Sequence, residues 1–413
     1  MKHSLLSKKI AWTFGMVFVY MLGRAIPVGT VPLDAASLQP QANKDLLAAL
    51  ASVSGGHYEM MTLFSLGIGP YMTMLILWRS LTVFKLPGLA SLTKKASWFW
   101  QNALALGIAT IQAFGLTATL TYVSFAPRQL DNALLGRFAT MVVLVAGSMV
   151  LTWLTQVNTR YGLGGPVVII LVNMCLNLLQ NGTSFLAAKH SSQLMAGLAF
   201  AGFALLLIGL AWWTVLVYRA EYRIPLRRVV IHSRFEDATY LPIRLLPAGG
   251  MPFMYSMTLM TLPALILQGL LGIFPTSSLL QDLLANSNLD SLPGALCYLV
   301  ILYVLSIGFA YFNYDAQEIA KNFQRGGDYI EQVRPGKATY HYIERKLSYF
   351  AHIGAVLITL MGGLPILLNF FFTEQPLAFV MMISNGFIIV SLMMTVIEQI
   401  EALRVWQQYE PLI

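Results

Sequence analysis

The chain has 413 residues, 57% of them hydrophobic and only 11% charged, with a formal net charge of +8. Soluble domains run nearer ~45–50% apolar and ~25% charged, so the composition excludes most soluble folds and every disordered one. The positive charge alone would nominate nucleic acid as a partner, and its placement along the chain decides against that.

A charge near the centre of a membrane helix costs about +2.5 to +3.5 kcal/mol, so charge-free windows mark spans. Ten follow in chain order: 10–23, 60–78, 96–127, 138–159, 161–188, 190–218, 245–281, 291–314, 347–373 and 375–397. Nine have 19 residues or more, and a helix needs ~20 apolar residues to cross the bilayer core. The first has 14, and Arg24 at its end is expected to snorkel outward. The windows are apolar all round, unlike the alternating strands of a membrane barrel. The pattern predicts an all-α polytopic membrane protein of ten transmembrane helices, here numbered spans 1 to 10.

No small-residue cleavage site follows the basic start, so span 1 is read as retained. Between spans 1 and 2, the apolar run 46–53 is too short to cross, Ser54-Gly55-Gly56 breaks it, and Pro70 marks a helix start. Residues 46–69 are therefore expected to dip into the membrane without crossing. Irregular backbone at that depth lines a cavity or is buried in protein; a surface re-entrant turn is the plainer alternative. Cys175 and Cys297 lie in apolar spans and read as small buried side chains, with no disulfide framework.

Two loops stand out. Residues 219–244 carry 9 charges in 26 residues, and residues 315–346 carry 11 in 32. Loops of this length and mixed charge predict hairpins and a docking surface for a soluble partner; a plain solvated loop is the alternative. Of the 26 Lys and Arg, 21 fall on the side of the N-terminus and five on the other. Lys and Arg stay cytoplasmic, so both termini are placed in the cytoplasm. The net charge divides as +10 inside and −2 outside. That is a topology signal, with anionic membrane lipids as a secondary attraction and no role for nucleic acid. A division into five and five spans would permit an inverted repeat, although no residue-level repeat is visible.

Catalytic patterns are missing. The six histidines are scattered, with no HExxH or CxxC. Gly336-Lys337 lacks the spacing of a phosphate-binding loop, and Gly162-Leu163-Gly164-Gly165 lacks that of a dinucleotide fingerprint. No enzyme, metal or cofactor is predicted. Acidic residues are also missing from the spans. This weighs against a secondary transporter of a small solute, the least favoured alternative.

Specific residues carry a resemblance over nearly the whole chain. They are Phe312-Asn313, Gln317 to Asn322, Gly326-Gly327, Arg334 to Thr339 and Tyr342; Leu66 to Tyr71; Tyr161 to Gly164; Arg223-Ile224-Pro225 and Leu241-Pro242; and Gln399 to Ala402. Taken in chain order, they resemble the SecY family of protein-conducting channels. Met21, Gly165-Pro166 and Leu246 depart from the usual pattern. This drift, with 20 Met, looks more like the accessory SecY of Gram-positive bacteria than the housekeeping one, which stays the alternative.

The resemblance implies two five-helix halves around an hourglass pore. It implies an apolar ring carried by Met72, Ile76, Leu171, Leu259 and Ile388, and a plug at Ser54, Gly55, Gly56 and His57 within segment 46–69. An apolar constriction stops ions by dewetting, and flexible Met suits a seal around varied chains. The side exit would lie between spans 2 and 3 on one side and 7 and 8 on the other. Gln112 is a lining candidate there, though an ordinary interhelical hydrogen bond explains it equally. A SecA-type motor ATPase would dock at Arg334, Lys337, Arg223, Arg227 and Arg228. Other implied partners are a small SecE-like subunit, further accessory Sec proteins, and secretory precursors with signal sequences. In the accessory system those precursors are glycosylated serine-rich adhesins, exported through the plasma membrane.

Overall fold

A computed structural model describes residues 4–29, 61–83, 93–118, 132–189, 193–228, 239–274, 277–287, 291–371 and 377–408. Ten long helices occupy the ten charge-free windows. They are α1 (Ser4–Ala25), α2 (Gly69–Val83), α3 (Lys94–Thr117), α4 (Asn132–Tyr161), α5 (Pro166–Lys189), α6 (Gln193–Arg219), α7 (Met251–Ile273), α9 (Leu292–Asn313), α11 (Lys337–Phe371) and α12 (Leu377–Gln408). Two shorter helices are α8 (Ser278–Asn286) and α10 (Ala316–Gly326). Among the described residues there are also three strands: β1 (Glu221–Arg228), β2 (Tyr240–Arg244) and β3 (Asp328–Ile330). Five stretches among the described residues are individually long and apolar enough to cross a membrane: Leu134–Tyr161, Met251–Leu271, Leu292–Gly326, Lys337–Leu367 and Ser384–Trp406.

Local chemistry sets the helix starts. The Thr93 hydroxyl accepts from Ala96 N and the Ser291 hydroxyl from Gly294 N, satisfying amides that a first turn leaves free. Asp315 accepts from Gln317 N and Glu318 N at the start of α10, which ends where Gly327 adopts φ 71°. Two helices outrun their windows by ten residues or more. Starting at Lys337, α11 stands ten residues clear of the predicted span, about 15 Å at 1.5 Å per residue. At its other end, α12 continues to Gln408, past the window's close at Ile397.

Helices α1–α5 and α6–α12 form two groups that meet along two lines. On one, α7 lies against α3 and α2; on the other, α12 lies against α5 and touches α1. Within the second group, α9 packs along α11. A single apolar body runs through both groups, from Met16 and Tyr20 of α1 to Ile388 and Leu392 of α12. The cysteines differ from expectation: Cys175 and Cys297 are exposed on the chain rather than buried. Lipid is as apolar as a core, so a small apolar side chain on an outer helix face costs nothing.

The two charged loops are joined. Strands β2, β1 and β3 form one antiparallel sheet in that order, with Arg223 opposite Pro242 and Arg227 opposite Tyr329. Under it, Ile224, Ile243, Ala316, Ile330 and Ile343 make a separate small core. Alternation explains the sheet: Ile224 and Leu226 turn inward between outward Arg223, Pro225 and Arg227. Hairpin pairing of the first loop was legible in the sequence, whereas the strand contributed by the second was not.

Candidate functional site

Four of the five predicted ring residues lie in one apolar body. Met72 of α2 and Ile388 of α12 are each 1% exposed, and Ile76 and Leu171 pack against the same cluster from α2 and α5. Leu259 of α7 is partly buried and stands outside that cluster, which Met257 and Met260 join from the same helix. Seven buried methionines among the described residues belong to this body: Met16, Met61, Met72, Met174, Met254, Met257 and Met260. Sequence reading singled out only Met72 among them, because any apolar helical position satisfies the same pattern.

The seam between α3 and α7 is a close backbone contact. A Cβ at Gly115 would run into the main chain of Leu265, and one at Gly269 would meet the Phe114 ring at 2.8 Å. Arg137 of α4 lies 4.5 Å above that ring and donates to the Phe114 carbonyl at 3.4 Å. Gln112, one turn before Gly115, is buried at 4% exposure. Gln268 on the facing helix is equally buried, and its Oε1 has no hydrogen-bond partner among the described residues. Gln268 was missed in the sequence, where its one signal was an amide inside an apolar window.

Of the 46–69 segment, residues 61–69 are described; Ser54, Gly55, Gly56 and His57 lie outside the described residues. Residues 61–63 pair with the end of α1, Val28 N donating to Met61 O at 2.8 Å and Leu63 N to Ile26 O at 3.0 Å. The Phe64 ring stacks on Tyr20, 6.3 Å between centroids. Phe64, Leu66 and Ile68 are buried, so this irregular backbone sits in protein. Arg24 does not merely reach outward: its Nη1 donates to Asn173 Oδ1 of α5 at 2.8 Å, and Tyr20 donates to the same oxygen.

On the sheet face the predicted cations differ in availability. Arg223 is paired with Glu221 at 2.8 Å and stacked over Tyr240, and Glu221 raises its pKa. Arg227 is paired with Glu331 at 3.0 Å. Arg228 stands opposite Asp328 in the strand register. Arg334 and Lys337 are exposed, and neither forms an ion pair among the described residues. The Arg334 carbonyl accepts from the Thr339 hydroxyl at 2.9 Å, which fixes the Arg-Pro-Gly turn that presents the guanidinium.

At the base of the sheet, Arg244 ties β2 to three other parts of the chain. Its two Nη atoms meet the two carboxylate oxygens of Glu398 on α12, each at 3.0 Å. Its Nη1 also reaches the Tyr218 hydroxyl of α6, and its backbone N donates to Tyr314 Oη after α9. Burial alone would lower the Arg244 pKa, and the hydrogen bond and charge of Glu398 reverse that, raising it. One residue on, Gln399 Oε1 accepts from Gly164 N in the turn between α4 and α5. Asn158 ties the same turn together through the carbonyls of Leu163 and Gly165.

This arrangement has known counterparts. A family model described as SecY matches residues 62–401. The accessory Sec system protein translocase subunit SecY2 of Streptococcus parasanguinis is 42% identical, covering 100% of this chain and 98% of that protein. The SecY2 of Streptococcus gordonii is 36% identical over 89% of this chain and 88% of its own length. Among solved structures, "The structure of a protein conducting channel" superposes with a TM-score of 0.68 at 16% identity, over 97% of this chain and 93% of that one. At that identity the superposition speaks for the fold.

Proposed function

The chain belongs to the SecY family, and from that premise we propose that it exports unfolded, serine-rich glycoprotein adhesins through the plasma membrane, driven by a SecA-type ATPase. It is a protein-conducting channel subunit of the accessory SecY type. The observation that carries the motor reading is the shared sheet. Two loops distant in sequence present one surface, and beside it Arg334 and Lys337 form no ion pair among the described residues. Unpaired, exposed cations attract an acidic partner without first breaking an internal ion pair.

In this reading both termini are cytoplasmic, because the basic loops lie on their side. Met72, Ile76, Leu171, Leu259 and Ile388 form the seal, and residues 54–57 form the plug. The α3–α7 seam is the side exit, with Gln112 at its wall. A signal sequence has an apolar stretch of ~7–15 residues. Ten Leu-like residues at about −0.5 kcal/mol each favour lipid by roughly 5 kcal/mol. A charged mature chain has no such route, so one device needs both an axial pore and a lateral opening. Energy comes from the docked motor, and a SecE-like subunit and further accessory Sec proteins complete the assembly.

Two experiments test this. An export-arrested precursor should crosslink to a photoreactive residue at position 72 and to none on the outer face of α4; the reverse removes the pore assignment. Deleting the gene should retain one large glycoprotein inside the cell while general secretion continues. Failure of all secretion would assign the housekeeping role instead.

A further inference from the structure

The sheet rests on α11 through its small apolar core, and it reaches α12 through Arg244. This residue ends β2, and its fork-to-fork contact with Glu398 is a stiff, directional bond. Beyond Glu398, α12 leads back to Ile388, ten residues or about 15 Å along the axis. Gln399, the next residue, holds the α4–α5 turn of the other helix group. One turn of α12 is thus held from both sides, by the sheet and by the opposite group. The sheet itself is one body: its small core joins both loops, and the turn bearing Arg334 lies between β3 and α11.

We infer that Glu398 is a positioning residue for transport, which through Arg244 passes load applied to the sheet into α12 and so to the seal at Ile388. The inference rests on reading the sheet as the motor's docking surface. A plain structural brace is the competing role, and exposure separates the two. Both side chains are about one-third exposed, and such pairs add little to stability. The pair is nevertheless the point where β2, α6, α9 and α12 are held in register.

The test uses the full-length channel with its small subunits in proteoliposomes, and a SecA-type ATPase from the source cell. The variants are Glu398→Gln, the charge swap Arg244→Glu with Glu398→Arg, and Arg334→Glu. Motor affinity, melting temperature, ATP hydrolysis and chains exported are measured for each. Glu398→Gln should bind the motor within about twofold of wild type and keep its melting temperature, yet export about tenfold fewer chains per ATP. The swap should recover most of that ratio, as a direct pairwise coupling requires.

Wild-type chains per ATP in Glu398→Gln, with the motor bound, would overturn the inference. So would a loss that follows a lowered melting temperature and is not rescued by the swap. If Arg334→Glu binds the motor as wild type does, the docking reading falls and this inference falls with it. If Arg334→Glu loses the motor while Glu398→Gln keeps its coupling, only the transmission role is lost.

Discussion

Arg227 of β1 and Glu331, just after β3, face each other at 3.0 Å and bridge two loops about a hundred residues apart in the chain. Both side chains are more than half exposed, so the pair marks the junction rather than holding it. The holding is done by the apolar side chains beneath. We predict that Arg227→Ala changes stability by less than about 1 kcal/mol. Ile224→Ala, at 1% exposure in the small core, should cost about 2–5 kcal/mol. Limited proteolysis of the loops in intact membranes should be unchanged by the first substitution and accelerated by the second.

Arg334 differs because nothing within the described chain neutralises it. Arg334→Glu should abolish export while membrane insertion and channel abundance stay normal. The turn keeps its shape, because the bond from Thr339 goes to the backbone carbonyl. Export assayed in cells against protein level in membranes checks this. Undiminished export would remove the residue from the docking surface.

The α3–α7 seam makes a third prediction. Gly115 has no room for a β-carbon against the Leu265 main chain, so Gly115→Val must push the two helices apart. If the seam is the side exit, the variant should leak ions without any precursor. Single-channel conductance should then rise, while the same substitution at Gly107, which faces open space, should leave it unchanged.

How much of this was readable in the chain follows from which forces act locally. The ten spans were legible because each charge is excluded from hydrocarbon on its own account, and the helices fall where the windows fall. The α2 start at Gly69-Pro70 was legible because proline is favoured in a helix's first turn and costly further in. The ring positions came from family resemblance. Periodicity could not separate Met72 from Met174 or Met257, which are equally apolar and equally buried. The third strand was hidden because Asp328–Ile330 is three residues long and gains its conformation only from β1, a hundred residues away. Glu398 was hidden for a related reason. In the sequence it is one acidic residue after the last span, and only folding brings Arg244 to it.

The contact between Arg24 and Asn173 gives the last prediction. Asn173 is fully buried in α5, two residues after Leu171, and its Oδ1 accepts from both Arg24 and Tyr20. Asn173→Leu removes that shared acceptor and faces a guanidinium with an apolar side chain, at a cost of about 1–3 kcal/mol. Replacing both partners, Arg24→Met with Asn173→Leu, should restore most of the loss, since an apolar pair leaves no charge to compensate. The melting midpoint of the purified channel should therefore fall in the single variant and recover in the double. If the two variants melt alike, the stability of this region comes from the Tyr20–Phe64 stack and the surrounding apolar body, and the polar contact only orients Arg24.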